Sequence, residues 1–213
     1  MAFLQNILAI IYPLVVYLGL SVMEPRQVAL GMGGLLVLRL LVVSPSRLVA
    51  YTQTFWLPVI AVASMVALTA ASNHPFGLLL TPVAINMGLL GVFASSFFQE
   101  ETTVERLAKI QVPDLPESEL AYCRRVTIVW CVFFVLNGST ALALALFADI
   151  AVWTFYTGIA SYVLMGTLFT VEYIYRQWRY RRYVGAPPDV FLKWLFPPWD
   201  EEPPPRDRIE KSP

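Results

Sequence analysis

Apolar residues in this chain come in long unbroken blocks. They show neither the alternation of a half-buried strand nor the spacing of a surface helix. Six blocks, 3–22, 28–43, 55–71, 76–98, 126–147 and 150–173, are separated by polar turns and two longer polar segments. A bilayer core about 30 Å thick asks roughly 20 apolar residues of a helix that crosses it. The pattern therefore predicts an all-α polytopic membrane protein, a bundle of six transmembrane helices. Residues 1–175 form the membrane domain, and 176–213 form a basic juxtamembrane segment followed by a proline- and acid-rich tail.

The polar punctuation sharpens this. Glu24-Pro25-Arg26 and Asn73-His74-Pro75 read as tight turns, and Asp149 as a very short one. Residues 44–54 read as a polar connector and 99–122 as the longest internal loop. Asp114 with Glu117 three positions later has the spacing of a capping box, predicting a helix that starts there and runs into the fifth block. Gly31, Gly33 and Gly34 lie in a Gly-Met-Gly-Gly cluster. A phosphate loop would need a strand before it and Lys-Ser/Thr after it, and neither is present, so the cluster reads as a site of close helix packing. The segment 190–196, Val-Phe-Leu-Lys-Trp-Leu-Phe, is bracketed by proline pairs. It is too short to span, and it is expected to lie at the interface or to pack on the bundle.

Composition agrees with a membrane setting. Of 213 residues, 57% are hydrophobic and 14% are charged, against about 25% charged in a soluble domain. Net charge is zero, but the basic residues are not spread evenly. A six-span path places every Lys and Arg except Arg26 on one side, including Arg39, Arg47, Arg106, Lys109, Arg124, Arg125 and the whole tail. Cytoplasmic loops are the basic ones, so both termini are expected in the cytosol. Arg124, Arg125, Arg179, Arg181 and Arg182 then stand at the membrane surface as anchors for anionic headgroups. Nucleic acid is not the expected partner of a basic cluster that directly follows a span.

Four polar groups fall inside the blocks. Asn86 and Asn137 both sit near mid-depth, counting about 1.5 Å per residue, and two facing amides satisfy each other. They read either as interhelical glue or as a polar spot lining a substrate path. Arg39 and Glu172 both fall in the cytoplasmic third of their helices, where they are expected to pair or to reach the headgroups singly.

Little in the chain points to chemistry. Cys123 and Cys131 fit no redox or zinc pattern, and His74 is the single histidine. There is no His-Glu-x-x-His, nucleophile elbow, phosphate loop or dinucleotide fingerprint. No catalytic, cofactor or metal residue is assigned, and a non-enzymatic role is expected.

Two segments carry a family resemblance. Thr81-Pro82-Val83-Ala84-Ile85-Asn86 resembles the Lys-Pro-x-x-Ile-Asn segment of the intracellular septation protein A family of bacterial inner-membrane proteins. Leu115-Pro116, Arg124-Arg125, Trp130, Phe133-Phe134 and Gly138 resemble that family's next conserved run. Thr81 stands where the family has lysine, and the proline-rich tail is extra. The chain is closer to an uncharacterised branch often encoded with aryl-polyene and acyl-lipid biosynthesis genes. The resemblance implies a multi-pass protein of the bacterial inner membrane that supports cell-envelope assembly, as a septation-like scaffold or accessory subunit. Its implied partners are envelope or division proteins or acyl-lipid synthesis components, and a homo-oligomer is open. The alternative it implies is a small transporter or lipid-handling subunit of such a pathway.

Overall fold

The computed structural model describes residues 2–42, 45–111, 115–181, 183, 185 and 188–198, with side chains from residue 12 onward except 36, 38–56, 111 and 118. Among these residues the regular structure is helical throughout. In chain order the helices are α1 (Ala2–Val22), α2 (Pro25–Val42), α3 (Pro45–Ser72), α4 (Phe76–Ser95), α5 (Thr103–Gln111), α6 (Glu117–Phe147), α7 (Ile150–Phe155), α8 (Ser161–Tyr180) and α9 (Asp189–Leu195). A 3₁₀ turn, Ser96–Phe98, extends α4, and a π-helical segment, Tyr156–Ala160, joins α7 to α8. Three stretches are long and apolar enough to cross a bilayer: Phe76–Phe98, Glu119–Phe147 and Ile150–Tyr180. The chain is a membrane protein on that ground.

Several boundaries differ from the sequence reading. The connector at 44–54 is helical from Pro45, because proline at the first helical position gives up an amide that would have no partner there. The loop 99–122 contains α5. That helix is capped by Thr102, whose Oγ1 accepts the Glu105 amide at 3.4 Å. Asp114 of the expected capping box lies outside the described residues. α6 begins after Pro116, whose carbonyl accepts the amides of Glu119 and Leu120 at 2.9 and 3.2 Å. Proline holds the residue before it extended, so no helix passes through Leu115. Glu117 and Glu119 in the first turn complement the helix dipole. Beyond 173 the helix continues through Arg176 to Tyr180.

By internal packing the chain divides into two units, Met1–Met165 and Gly166–Pro213. In the first, α4 packs between α3 and α6, α2 lies on α3, and α1 meets α7 and the π segment. The core at one end joins Val16, Val28, Ala29, Val66, Leu78 and Trp153. At that end the first two turns are tied together. The Arg26 amide donates to Asn73 Oδ1 at 3.0 Å, its Nε to the Ala70 carbonyl at 2.8 Å, and Asn73 Nδ2 to Glu24 at 3.3 Å. Asn73 itself is left-handed, φ 53°, and ends α3 in the manner of an Asn cap. At the other end Phe93, Trp130, Phe133 and Phe134 form an aromatic cluster between α4 and α6, with edge-on ring contacts such as Phe93–Phe134 at 5.2 Å.

The closest helix approaches are made by glycines outside the Gly-Met-Gly-Gly cluster, of which, among the described residues, Gly33 alone faces a neighbour, with Val66 Cγ1 3.4 Å from where a methyl would lie. A methyl on Gly88 would lie 2.7 Å from the Pro58 nitrogen, and one on Gly77 would lie 2.5 Å from the Met65 carbonyl oxygen. Both hold α4 against α3. Among the described residues, methyls at Gly31 and Gly34 would meet nothing within 4 Å.

In the second unit, α8 runs to Tyr180 and the chain turns back through Arg181 and Gly185, both at positive φ, into α9. Buried Asp189 accepts from the Tyr173 hydroxyl and, at 2.8 Å, from the Gly185 amide.

Candidate functional site: an intramembrane polar chain

Pro82 lies in the interior of α4 and has no amide hydrogen to give the Leu78 carbonyl. In lipid such a carbonyl needs another donor. The Tyr12 hydroxyl of α1 supplies it at 2.7 Å. The neighbouring Leu79 carbonyl accepts the indole N–H of Trp153, from α7, at 3.2 Å. The proline turn of α4 is thus held by two aromatic side chains, from α1 and α7, whose polar tips reach its backbone.

One turn further along, four groups form a continuous run of hydrogen bonds. Tyr156 Oη donates to Asn137 Oδ1 at 2.9 Å, Asn137 Nδ2 to Asn86 Oδ1 at 3.1 Å, and Asn86 Nδ2 to the Pro82 carbonyl at 2.8 Å. Every donor points the same way, which polarises the series cooperatively. Both amides are buried. Gly138 is what lets α6 come this near: a methyl there would lie 3.1 Å from Asn86 Cβ. The run ends on a backbone carbonyl, and no carboxylate or histidine belongs to it. It can fix helix register and orientation, and its one ionisable member is the Tyr156 phenol, which donates its hydrogen bond to Asn137.

The hydroxyls around it are turned onto their own helices. Thr81, Thr127, Thr157, Thr140 and Thr154 each donate to the carbonyl four residues back, at 2.7–3.1 Å. That leaves the apolar surface of these helices with few free donors.

The expected pairing of Asn86 with Asn137 is present in the geometry. Tyr156 as its third member was not expected, and neither were Tyr12 and Trp153 at the proline. The other polar positions stand apart. The side chain of Arg39 lies outside the described residues. Glu172 takes Arg176, one helical turn on, with Nη2 at 3.0 Å. Arg124 and Arg125 are exposed on α6, and the Arg124 guanidinium lies 5.4 Å from the Phe97 ring centre. Arg179 is exposed, Arg181 donates to the Pro197 carbonyl at 3.0 Å, and Arg182 lies outside the described residues. His74 is used locally, its Nδ1 accepting the Phe76 amide at 3.2 Å.

Comparison of the chain with protein-family models, with curated proteins and with solved structures gives no match.

Proposed function

We propose that this is a non-enzymatic protein of the bacterial inner membrane, with six spans and both termini in the cytosol, that supports cell-envelope assembly as a scaffold or accessory subunit. The observation that carries the reading is the Tyr156–Asn137–Asn86–Pro82 series. The amides deep in the helices are consumed by one another and by a backbone carbonyl, with Gly138 closing the contact. A substrate path would leave such groups facing an opening. The tie between the Glu24–Arg26 turn and Asn73 supports the path of the chain, since a six-span route puts those turns on one side. The resemblance in the 81–86 and 115–138 segments to septation-type proteins supplies the envelope role.

One observation favours the second reading, a small transporter or lipid-handling subunit. Tyr156 opens a π-helical segment, and such segments recur at functional sites in membrane and soluble helices. Affinity capture of the tagged full chain from native membranes separates the two. Recovery of elongation or division proteins is the result expected of the scaffold. Recovery of acyl-synthesis or exporter components in their place would move the assignment to the second reading.

A further inference from the structure

The short helix α9 has its polarity inverted. Its inner arc carries Asp189, only 1% exposed, and Leu192. Its outer arc, taken at about 100° per residue, is Val190, Phe191, Trp194 and Leu195. Val190 is 80% exposed, Phe191 64% and Trp194 78%. A helix resting on protein and facing water would be arranged the other way round.

The inversion is built in by a set of hydrogen bonds. Asp189 is the inward residue because it accepts from the Tyr173 hydroxyl of α8 and from the Gly185 amide. The Tyr183 hydroxyl donates at 3.1 Å to the Leu192 carbonyl and also contacts the carbonyl of Phe196. Arg181 donates to the Pro197 carbonyl at 3.0 Å, closing the far end of the same hairpin. With these bonds made, α9 cannot roll its apolar arc inward without turning Asp189 outward and breaking its bonds to the Tyr173 hydroxyl and the Gly185 amide.

What covers that arc follows from its neighbours. α9 is joined to the end of α8, which belongs to a stretch long and apolar enough to cross a bilayer. A shallow apolar groove lined by Val171, Ile174, Tyr175 and Trp178 of α8 is closed by Phe196, the residue that follows α9. Tyr175 and Trp178 at the end of a span belong to the headgroup level. At seven residues α9 is far too short to enter the bilayer core end-on. Cations flank the arc: Arg179 is exposed, and Lys193 is exposed at the shoulder with its Nζ 5.4 Å from the Tyr183 ring centre.

We infer that α9 and the end of α8 form a foot that lies flat on an anionic phospholipid bilayer, with Phe191 and Trp194 inserted at the boundary of headgroups and acyl chains and Arg179 and Lys193 against the lipid phosphates. The Tyr173–Asp189 clasp is the device that holds this face outward. The inference rests on the chain being a membrane protein and is independent of the envelope role.

The test uses the full chain in nanodiscs made only of phosphatidylglycerol or only of phosphatidylcholine. Nitroxide labels are placed singly at Phe191→Cys, Trp194→Cys and Lys193→Cys, in a Cys123→Ala, Cys131→Ala background. Collision with oxygen, which partitions into lipid, is compared with collision with a water-soluble nickel chelate. The expected result is a several-fold preference for oxygen at 191 and 194 and for nickel at 193, larger in phosphatidylglycerol. Equal access of nickel to all three labels in lipid-only discs would overturn the inference. That result includes an arc shielded only in native membranes, where a protein partner is present. The Tyr173→Phe, Asp189→Asn variant should erase the difference between 191 and 193 while the helical circular dichroism stays unchanged. Persistence of the difference in that variant would overturn the role of the clasp.

Discussion

The Tyr12–Pro82 relation makes the sharpest prediction. Tyr12→Phe keeps the ring and removes one hydroxyl. The Leu78 carbonyl it served belongs to a fully buried residue and has no amide four residues on, since position 82 is proline. Leaving a buried carbonyl unpaired costs about 1–3 kcal/mol, and hydrogen bonds between membrane helices are worth about 0.6 kcal/mol on average and up to roughly 1.7. Tyr12→Phe should therefore cost about 1–2 kcal/mol. In a Pro82→Ala background the new amide at 82 bonds to the Leu78 carbonyl, and the same substitution should cost less than about 0.5 kcal/mol. Unfolding equilibria in bicelles for the four proteins give the coupling energy. Infrared spectra with an isotopically shifted Leu78 carbonyl add a direct readout, with the band moving to higher frequency in Tyr12→Phe alone. An equal cost of Tyr12→Phe in both backgrounds would show that the hydroxyl does not replace the missing amide.

Other substitutions follow from the same contacts. Gly88→Ala sets a methyl 2.7 Å from backbone in α3, so overpacking of about 1–3 kcal/mol outweighs the roughly 1 kcal/mol gained in helix propensity. Gly31→Ala, into open space, should keep that gain, and opposite signs in one unfolding assay are the check. Asn137→Leu strands Asn86 and Tyr156 together and should cost about 0.6–2 kcal/mol. The double variant with Asn86→Leu should cost less than the sum of the two singles. Lys109 is held above the usual lysine range by hydrogen bonds to Glu101 first and Glu105 second. A raised cationic pKa stabilises fully below the unfolded value, about 10.4, and the effect is lost as pH rises through the folded one. Amide protection in α5 should stay flat from about pH 7 to 9 and fall only above the ordinary lysine range, with no such step in Lys109→Met.

Much of the helical layout is legible because apolar block length is a direct response to bilayer thickness. The Asn86–Asn137 contact is legible too, since equal depth and equal need for a partner leave few alternatives. What sequence reasoning missed has local causes. α5 was hidden because its apolar positions, Val104, Leu107 and Ala108, are interleaved with charge, although their helical spacing and Thr102 before them were there to be seen. The helix expected from Asp114 onward starts at Glu117, because Pro116 holds Leu115 extended. Glu172 has a cation one turn away on its own helix in Arg176, a pairing that the i, i+4 spacing already offered. Tyr156 could not be placed, because a π-helical segment changes which residues of that helix share a face. The roles of Tyr12 and Trp153 follow from asking where each carbonyl around Pro82 finds a donor, a question that needs only the proline to be posed and the fold to be answered.

The two donors that hold α4 reach it from opposite ends of its history on the ribosome. Tyr12 precedes Leu78 by 66 residues, and Trp153 follows Leu79 by 74. When α4 enters the membrane its first partner is already there and its second has not been made. The central helix therefore waits on a segment synthesised two hairpins later, and a chain released before α7 emerges carries an unfinished α4 into the bilayer. The hydrogen bonding of this helix is thus complete only once the chain has been made through Trp153.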